Sequence, residues 1–298
     1  MRKFVIVTDS CGDLSKDLRD KYNVEYIQMH VIIDEKEYMA DIDFNEIPYH
    51  DFYELMRNGT RITTAQVTAL EFEAKFEEYV KNDLDVLYIS CSGTLSASIK
   101  ASIVAKNAVL QRHPEAKIIC VDSLNSCFGL GIMCMVASEK RDEGMTIEEV
   151  ANWLEENKLT VNQECTVEKL TYLKQAGRVS AAKAFFGGLL NKKPIIISDA
   201  QGRNHALETV KGRRASMERI ADRMKEEILD VPHQKIVVCH ADDEEAGKEL
   251  QRIIESRFPD EKLDIYLGKI GPIIGSSAGP GTIAVYFFGK EVTVNKPE

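Results

Sequence analysis

The sequence predicts an α/β fold organised as two α/β domains, residues 1–160 and 161–298. Short apolar runs alternate with helical patterns through the first half, which is typical of a doubly wound, mostly parallel sheet. The second half continues this alternation but also contains a hairpin pattern, which predicts a mixed sheet. The length of 298 residues suits one large or two ordinary domains.

In the first half, strands are predicted from apolar and β-branched runs, and helices from apolar residues at helical spacing. Pro48 fits the first turn of a helix, and Asn58-Gly59 fits its end. Residues 60–68 are too polar for a core strand and are interpreted as a polar connection. The predicted strands are 4–7, 26–33, 38–42, 85–89 and 117–121, and the predicted helices are 13–22, 48–57, 71–80, 95–112, 129–143 and 147–156.

In the second half, Asp199-Ala-Gln-Gly202 predicts the turn of a hairpin. Gly177 predicts a turn within residues 171–180, and a glycine-rich turn is expected before the last strand. The predicted strands are 163–167, 194–197, 205–210, 235–239, 263–267 and 282–288, and the predicted helices are 181–190, 215–228 and 244–258.

Composition narrows the classes of function. The net charge of −10 argues against general nucleic-acid binding, which needs a basic face. No apolar run approaches the roughly 20 residues of a membrane span, and the N-terminus reads as a strand and not as a signal peptide. Seven cysteines without a Cys-x-x-Cys pair fit reduced thiols. We therefore expect a cytoplasmic protein without membrane insertion.

The stretch Ser90–Ser102 is the first candidate site. It follows the predicted strand 85–89 and leads into a long helix, and it carries six hydroxyl side chains in thirteen residues. One hydroxyl suffices to cap a helix. In an open α/β sheet this position holds ligands, and the N–H groups of a helix N-terminus favour an anion. Capping and ligand binding both remain open for these hydroxyls.

Three other motifs favour structural interpretations. Gly275-Ser-Ser-Ala-Gly279 matches a nucleophile elbow, but a strand and not a helix is predicted to follow it. His240, with Asp242 and Asp243 close behind, suits either a His–Asp relay or a histidine bonded to the next helix. Cysteines that follow predicted strands suit a thiol cluster or metal site less well than small buried hydrophobes. Zinc-spaced and nucleotide-binding motifs are absent, so no cofactor is predicted.

Positive charge is concentrated between Lys169 and Arg219. This span holds eleven Lys or Arg residues against three acids, a net charge of +8 in an acidic chain. The asymmetry suggests a negatively charged partner or transferred group. Arg178, Arg213 and Arg214 are the first candidates for such contacts, because arginine binds phosphate and carboxylate in bidentate fashion.

Six motifs together resemble those of the DegV family, the bacterial fatty acid-binding proteins. Residues 63–68 are similar to the family's Thr-Thr-Ser-Gln-Pro-Ser, residues 95–98 to Leu-Ser-Gly-Thr, and residues 172–180 to Tyr-Leu-Lys-x-Gly-Gly-Arg-Ile-Ser. The order of the six along the chain is Val7-Thr-Asp-Ser10, Thr63-Thr-Ala-Gln-Val-Thr68 with Glu71-Phe72, Leu95-Ser-Ala-Ser98, Val121-Asp-Ser123, Tyr172-Leu-Lys-Gln-Ala-Gly-Arg-Val-Ser180, and Gly271-Pro272 with Gly279-Pro-Gly281. The resemblance spans nearly the whole chain.

The resemblance implies a long-chain fatty acid, such as palmitate or oleate, held between two α/β domains. Carried over to this chain, the residues that hold the carboxylate are Thr64 and Ser96, with Ser277 in the last motif. It also implies a carrier without catalysis of its own, which presents the fatty acid to a kinase for phospholipid metabolism. Phe185, Phe186, Leu189 and Leu190, with Ile273 and Ile274, are candidates for the tunnel lining or for ordinary core.

This chain departs from the family pattern at four positions. Ser277 stands where many members have histidine, and Ala65, Val67 and Ala97 replace serine, proline and glycine. These departures affect the expected presentation of the fatty acid to a kinase more than they affect the expected binding of the ligand. Two alternatives remain open: a serine-dependent phosphotransferase or hydrolase that uses Ser96 or Ser277 with His240, and a regulatory protein that senses a lipid.

Overall fold

The computed structural model describes residues 3–180, 191–231 and 234–297. In this part of the chain the strands form a four-stranded, a three-stranded and a six-stranded sheet. The strands are β1 Lys3–Asp9, β2 Val24–Ile27, β3 His30–Ile33, β4 Lys36–Met39, β5 Ile62–Ala65, β6 Leu84–Ser90, β7 Ile118–Asp122, β8 Val161–Thr166, β9 Lys192–Ser198, β10 Asn204–Lys211, β11 Ile236–His240, β12 Ile265–Lys269 and β13 Ile283–Phe288.

The described residues also form α-helices. They are α1 Lys16–Tyr22, α2 Tyr49–Arg57, α3 Ala69–Lys81, α4 Ser98–Arg112, α5 Cys127–Asp142, α6 Ile147–Asn157, α7 Leu170–Ala176, α8 Arg213–Glu227, α9 Glu244–Arg257 and α10 Pro272–Ala278. No helix among residues 3–180, 191–231 and 234–297 combines the length and apolar character that a membrane span requires.

The four-stranded sheet is parallel throughout, with strand order β2-β1-β6-β7. Its two central strands are the apolar runs expected from the sequence, and residues 86–89 of β6 are fully buried. Helices α3 and α4 pack together against this sheet, as do α5 and α6. The predicted parallel sheet is confirmed, and its carboxyl ends present Asp9, Ser90 and Asp122 along one edge.

The three-stranded antiparallel sheet, with order β4-β3-β5, corrects two expectations. The predicted strand 26–33 is two strands in different sheets, because the chain turns at Gln28-Met29, where Ser10 Oγ accepts a hydrogen bond from Met29 N–H. The segment contains no glycine or proline to indicate such a turn. The polar connection 60–68 contains β5, whose position at the sheet edge accounts for its polar character.

The six-stranded sheet is mixed, as expected, with order β10-β9-β8-β13-β11-β12. The predicted hairpin is present as β9 and β10. The last strand, β13, is inserted between β8 and β11 and is antiparallel to both, whereas β11 and β12 are parallel. Helices α8 and α9 cover one face over the apolar side chains of these strands.

Two short helices replace predicted turns. Helix α10 occupies the expected glycine-rich turn; it starts at Pro272, whose fixed φ suits a first helical position, and it ends at Gly279, with φ of +87°. Helix α7, Leu170–Ala176, overlaps the predicted segment 171–180, and the chain leaves it at Gly177, which adopts a left-handed conformation at the predicted turn. The predicted helix 181–190, with Phe185, Phe186, Leu189 and Leu190, lies outside the described residues.

Helix α10 joins the two halves of the chain. Gly275 packs on Tyr53 of α2, and Tyr53 Oη donates a hydrogen bond to the Ile270 carbonyl at 2.8 Å. Tyr49 Oη donates to the His240 carbonyl at 2.7 Å. All described strands up to residue 122 lie in the first two sheets, and all those from residue 161 lie in the third. The boundary at residues 160 and 161 stays a prediction.

Candidate functional site

A cavity of about 340 Å³ lies between the parallel sheet and the mixed sheet. Its volume falls in the roughly 300–1,000 Å³ range of small-molecule pockets. We call it the apolar cavity, because aliphatic and thiol side chains make up most of its wall. These side chains are Cys11, Met29, Ala65, Cys91, Leu95, Ala97, Cys165, Val167, Leu173, Ile196, Ile270, Ile273, Ile274, Ala278 and Ala284.

A second cavity, of about 480 Å³, adjoins the first. Its described wall carries Arg57, Arg61, Lys169 and Arg178 and no acidic side chain, so we call it the basic cavity. Thr64, Arg178 and Ser277 line both cavities. These three residues therefore mark the junction at which an apolar compartment meets a positively charged one.

Thr64 reaches the junction from β5. Antiparallel pairing with β3 places it opposite Val31 and fixes its direction. The side chain is half-buried, and its hydroxyl has no hydrogen-bond partner among the described residues. A hydroxyl in this state has a proton to donate and two lone pairs to accept with.

Ser96 lies in the wall of the apolar cavity, just before α4. Its Oγ accepts a hydrogen bond from Ser98 N–H at 3.2 Å and lies 2.9 Å from Ser98 Oγ. If Ser98 Oγ–H donates to Ser96, the Ser96 proton remains available for an acceptor in the cavity. Other hydroxyls of the stretch serve the backbone: Ser90 Oγ donates to the Cys91 carbonyl and Ser102 Oγ to the Ile99 carbonyl.

Ser277 lies in the last turn of α10 and is half-buried. Its hydroxyl finds no hydrogen-bond partner in the described part of the chain, whereas Ser276 Oγ beside it donates to the Ile273 carbonyl. The structure thus brings Thr64, Ser96 and Ser277 to the wall of one cavity, although they are far apart in the chain.

Arg178 follows α7 and reaches the same junction. Its Nε donates to the Leu95 carbonyl at 2.9 Å, and its Nη1 donates to the Ala176 carbonyl at 2.6 Å. Nη2 has no partner among the described residues. The guanidinium is therefore fixed beside the loop that carries Ser96, with a donor to spare for an anion.

Arg213 and Arg214 line neither cavity. Arg213 Nη2 donates to the Gly281 carbonyl at 2.6 Å and lies 3.3 Å from Asp243. The Arg214 side chain is 71% exposed and forms ion pairs with Glu218 and Glu249. Of the three arginines selected from the sequence, only Arg178 belongs to this site.

Three of the seven free cysteines line the apolar cavity. The hydrogen bond with Cys91, and then burial, hold the pKa of Cys11 well above its usual range, and burial raises the pKa of Cys165. Neutral thiols behave as small apolar groups. Cys127 instead lies 3.8 Å from Cys239, Sγ to Sγ.

The described residues contain one cluster with a geometry suited to a metal, His50, Glu54 and Asp242. It lies outside the lining of both cavities, and the Arg57 guanidinium bonds to both of its carboxylates. The positive charge of Arg57 offsets part of the negative charge that would attract a metal cation. The cluster therefore has no part in the site.

His240 is buried and does not line either cavity. Its Nδ1 accepts a hydrogen bond from Asp243 N–H at the start of α9, and burial lowers the pKa of the imidazole. The interpretation of a histidine bonded to the next helix is therefore confirmed. Among the described residues that line the two cavities there is no His, Asp or Glu to serve as a base for Ser96 or Ser277.

Sequence reasoning missed several polar groups of the apolar cavity. Tyr286 Oη donates to Gln163 Oε1 at 3.3 Å, and Gln163 Nε2 donates to Asn204 Oδ1 at 3.2 Å. Ser126 lines the same cavity. These residues lie on or beside separate strands, and no local motif distinguishes them from ordinary core or loop positions.

The chain is similar to proteins of one family over nearly its whole length. The DegV family model, described as an uncharacterised protein family, matches residues 3–290. A DegV domain-containing protein of Clostridium perfringens is 35% identical over 289 residues, which cover 97% of this chain and 98% of that protein.

Two solved structures are also similar. One is described as fatty acid binding of a DegV family protein from Thermus thermophilus, with 27% identity, a TM-score of 0.85, and coverage of 97% of this chain and 100% of that one. The other is described as a stearic acid-binding protein from Eubacterium ventriosum, with 25% identity, a TM-score of 0.85, and coverage of 96% and 98%.

Proposed function

This chain belongs to the DegV family, and from that premise we propose that it binds a long-chain fatty acid. The acyl chain occupies the apolar cavity. The carboxylate lies at the junction with the basic cavity, where it accepts hydrogen bonds from Thr64, Ser96 and Ser277. Relatives of this chain described as fatty acid-binding support the ligand class.

One observation carries the proposal. The hydroxyls of Thr64 and Ser277, which have no other partner among the described residues, lie where an apolar compartment opens on a basic one. A fatty acid has the same division, with an apolar tail and an anionic end. Hydrogen bonds from neutral hydroxyls to a carboxylate are charge-assisted and stronger than neutral ones.

The tail supplies most of the binding free energy. Each CH₂ group moved from water into an apolar wall contributes about 0.8 kcal/mol. Neutral thiols and aliphatic side chains present no charge that would have to be desolvated. The free energy that remains after immobilisation of the ligand therefore grows with chain length until the tail fills the cavity.

Arg178 complements the charge of the carboxylate. Its free Nη2 lies on the junction, and Arg57, Arg61 and Lys169 extend the positive surface into the basic cavity. These groups favour an anionic head at this end and disfavour the reversed orientation of the ligand. The charge pattern thus supports one direction of binding.

We further propose that the protein is a carrier without catalysis of its own and presents the carboxylate to a kinase. The basic cavity supports this, because it has room and positive charge for a phosphoryl group beside the carboxylate. Because Ser277 stands where many family members have histidine, presentation to a kinase is a more demanding test of this proposal than fatty acid binding. The free thiols support the cytoplasm as the site of action.

The direct test is native mass spectrometry of the purified protein, followed by removal of lipid and reloading with palmitate or oleate. The proposal predicts one acyl chain per protein, either co-purified or regained. Absence of any acyl chain, together with no uptake of either added fatty acid, would overturn it. A further incubation with a fatty acid kinase and ATP tests presentation, through formation of an acyl phosphate.

Two rival functions give different results. A serine-dependent hydrolase or phosphotransferase predicts turnover of ester or phosphate substrates that is lost in Ser96→Ala. His240 lines neither cavity and accepts a hydrogen bond from Asp243 N–H, which disfavours that rival. A lipid sensor predicts a partner whose capture depends on added fatty acid but which receives none of it. Arg214, which is exposed, remains our proposed contact for an acidic partner, with Arg213 beside it.

A further inference from the structure

Ser126 is a buried hydroxyl in the wall of the apolar cavity, and it does not line the basic cavity. It is 6% exposed, and its hydroxyl has no hydrogen-bond partner among the described residues. It precedes α5, where a serine usually caps the first turn with its side chain. Here the side chain makes no capping hydrogen bond. Its hydrogen-bonding capacity is therefore unused by the helix.

Two further polar side chains, Tyr286 and Gln163, line the same cavity, and Tyr286 packs against the helix turn that Ser126 precedes. A Cβ atom added to Gly129, in the first turn of α5, would lie 3.2 Å from Tyr286 Cδ1, so this turn packs directly on Tyr286. The Tyr286 hydroxyl donates to Gln163 Oε1 at 3.3 Å, and both side chains are at most 5% exposed. The Gln163 amide keeps one N–H and one lone pair free after its hydrogen bonds to Tyr286 and Asn204.

Ser126 and Gln163 add hydrogen-bonding capacity to the wall of the apolar cavity beyond that of the proposed carboxylate site. A buried hydroxyl that faces a methylene stays unpaired, which is unfavourable, whereas a hydroxyl on the ligand pairs with it. A site built with such groups discriminates against an analogue that lacks the matching hydroxyl. A purely hydrocarbon tail uses neither Ser126 nor the free amide positions of Gln163.

We propose that the apolar cavity prefers a fatty acid with a hydroxyl group within its chain, and that Ser126 binds that hydroxyl with Gln163 as its neighbour. This inference rests on the proposed function, because the carboxylate must be held at Thr64, Ser96 and Ser277 for the chain to run past Ser126. The ligand class is thus a hydroxylated long-chain fatty acid.

The experiment compares stearic acid with a series of hydroxystearic acids in which the hydroxyl is moved along the chain. Lipid-free protein is titrated with each, as wild type, as Ser126→Ala and as Ser102→Ala. Ser102 is a matched control, because it is a fully buried serine whose Oγ donates to the Ile99 carbonyl away from both cavities.

At one hydroxyl position the wild type should bind about 3- to 10-fold more tightly than it binds stearic acid, the effect of one hydrogen bond. Ser126→Ala should remove that gain without weakening stearic acid, and Ser102→Ala should keep it. The inference is overturned if no positional isomer gains over stearic acid, or if the gain survives in Ser126→Ala.

Titration of the wild-type protein with stearic acid and the hydroxystearic acids tests the inference even if a variant does not fold. If neither stearic acid nor any hydroxystearic acid binds, the proposed function fails and takes this inference with it. If stearic acid binds and no isomer binds more tightly, the proposed function stands and the preference alone is wrong.

Discussion

Substitution of Ser96 by alanine should weaken fatty acid binding strongly while it affects folding modestly. Ser96 Oγ already accepts a hydrogen bond from Ser98 N–H at 3.2 Å and lies 2.9 Å from Ser98 Oγ. If Ser98 Oγ–H donates to Ser96, both lone pairs of Ser96 are occupied and its proton is free for the proposed carboxylate. The variant removes that donor together with both contacts to Ser98.

The two losses have different magnitudes. A hydrogen bond to a charged group contributes about 1.5–3 kcal/mol, so the dissociation constant for oleate should rise roughly 10- to 150-fold. The folding loss corresponds to one local hydrogen bond at a helix start, about 1 kcal/mol. Binding is measured by titration of lipid-free protein with oleate, and the free energy of unfolding by denaturant titration.

Ser98→Ala is the matched control. Ser98 is fully buried and does not line either cavity, so this variant loses the hydroxyl–hydroxyl contact with Ser96 but no ligand donor. Its stability should fall by a similar amount, with a change in oleate affinity of only about threefold. Equal affinity losses in Ser96→Ala and Ser98→Ala, or no loss in Ser96→Ala, would refute the direct role of Ser96.

Three further predictions concern stability and the surface. Burial raises the pKa of Glu164 to about 7, although the Arg223 guanidinium lies 2.7 Å from its carboxylate. Because the folded protein holds this proton more tightly than the unfolded chain does, the free energy of unfolding should fall as pH rises from about 4.5 to 7. Glu164→Gln should flatten this part of a profile of melting temperature against pH. Gly275→Ala places a Cβ 2.2 Å from Tyr53 Oη and should lower the free energy of unfolding by about 1–3 kcal/mol. It should also weaken oleate binding, because α10 carries Ser277. Unchanged stability and unchanged affinity would show that α10 repacks freely. Arg214→Glu should change the free energy of unfolding by less than about 1 kcal/mol, and it should weaken capture of an acidic partner at low salt. An interaction with the partner that does not depend on salt would count against a contact at Arg214.

The sequence allowed the regular parts of the fold to be predicted. Strand 85–89 and the hairpin around Asp199–Gly202 were correct, because a buried apolar run and a turn between two β-branched runs are local signals. The division of residues 26–33 between two sheets was not predictable, because it depends on a hydrogen bond between Ser10 and Met29. Helix α10 was missed because Gly275, Ser276 and Ser277 are poor helix formers, and packing on Tyr53 stabilises it instead.

The residues of the candidate site also fall into those that the sequence predicted and those that only the structure revealed. Thr64, Ser96 and Ser277 came from motifs with a characteristic order, and all three line the apolar cavity. Ser126 and Gln163 have no such motif, and their meaning appears only when α5, β8 and β13 are brought together. A hydroxyl or amide beside an apolar run can be a cap, a satisfied core residue or a ligand contact, and only the tertiary structure shows which partners it has.

The central claim is that hydroxyls at the junction of the two cavities hold the carboxylate of a long-chain fatty acid. Its most direct test is the affinity of lipid-free protein for oleate compared with oleyl alcohol, which has the same tail and no charge. We expect oleate to bind at least about tenfold more tightly, the effect of one charge-assisted hydrogen bond. Equal affinity for the two ligands, or tighter binding of the alcohol, would contradict the claim.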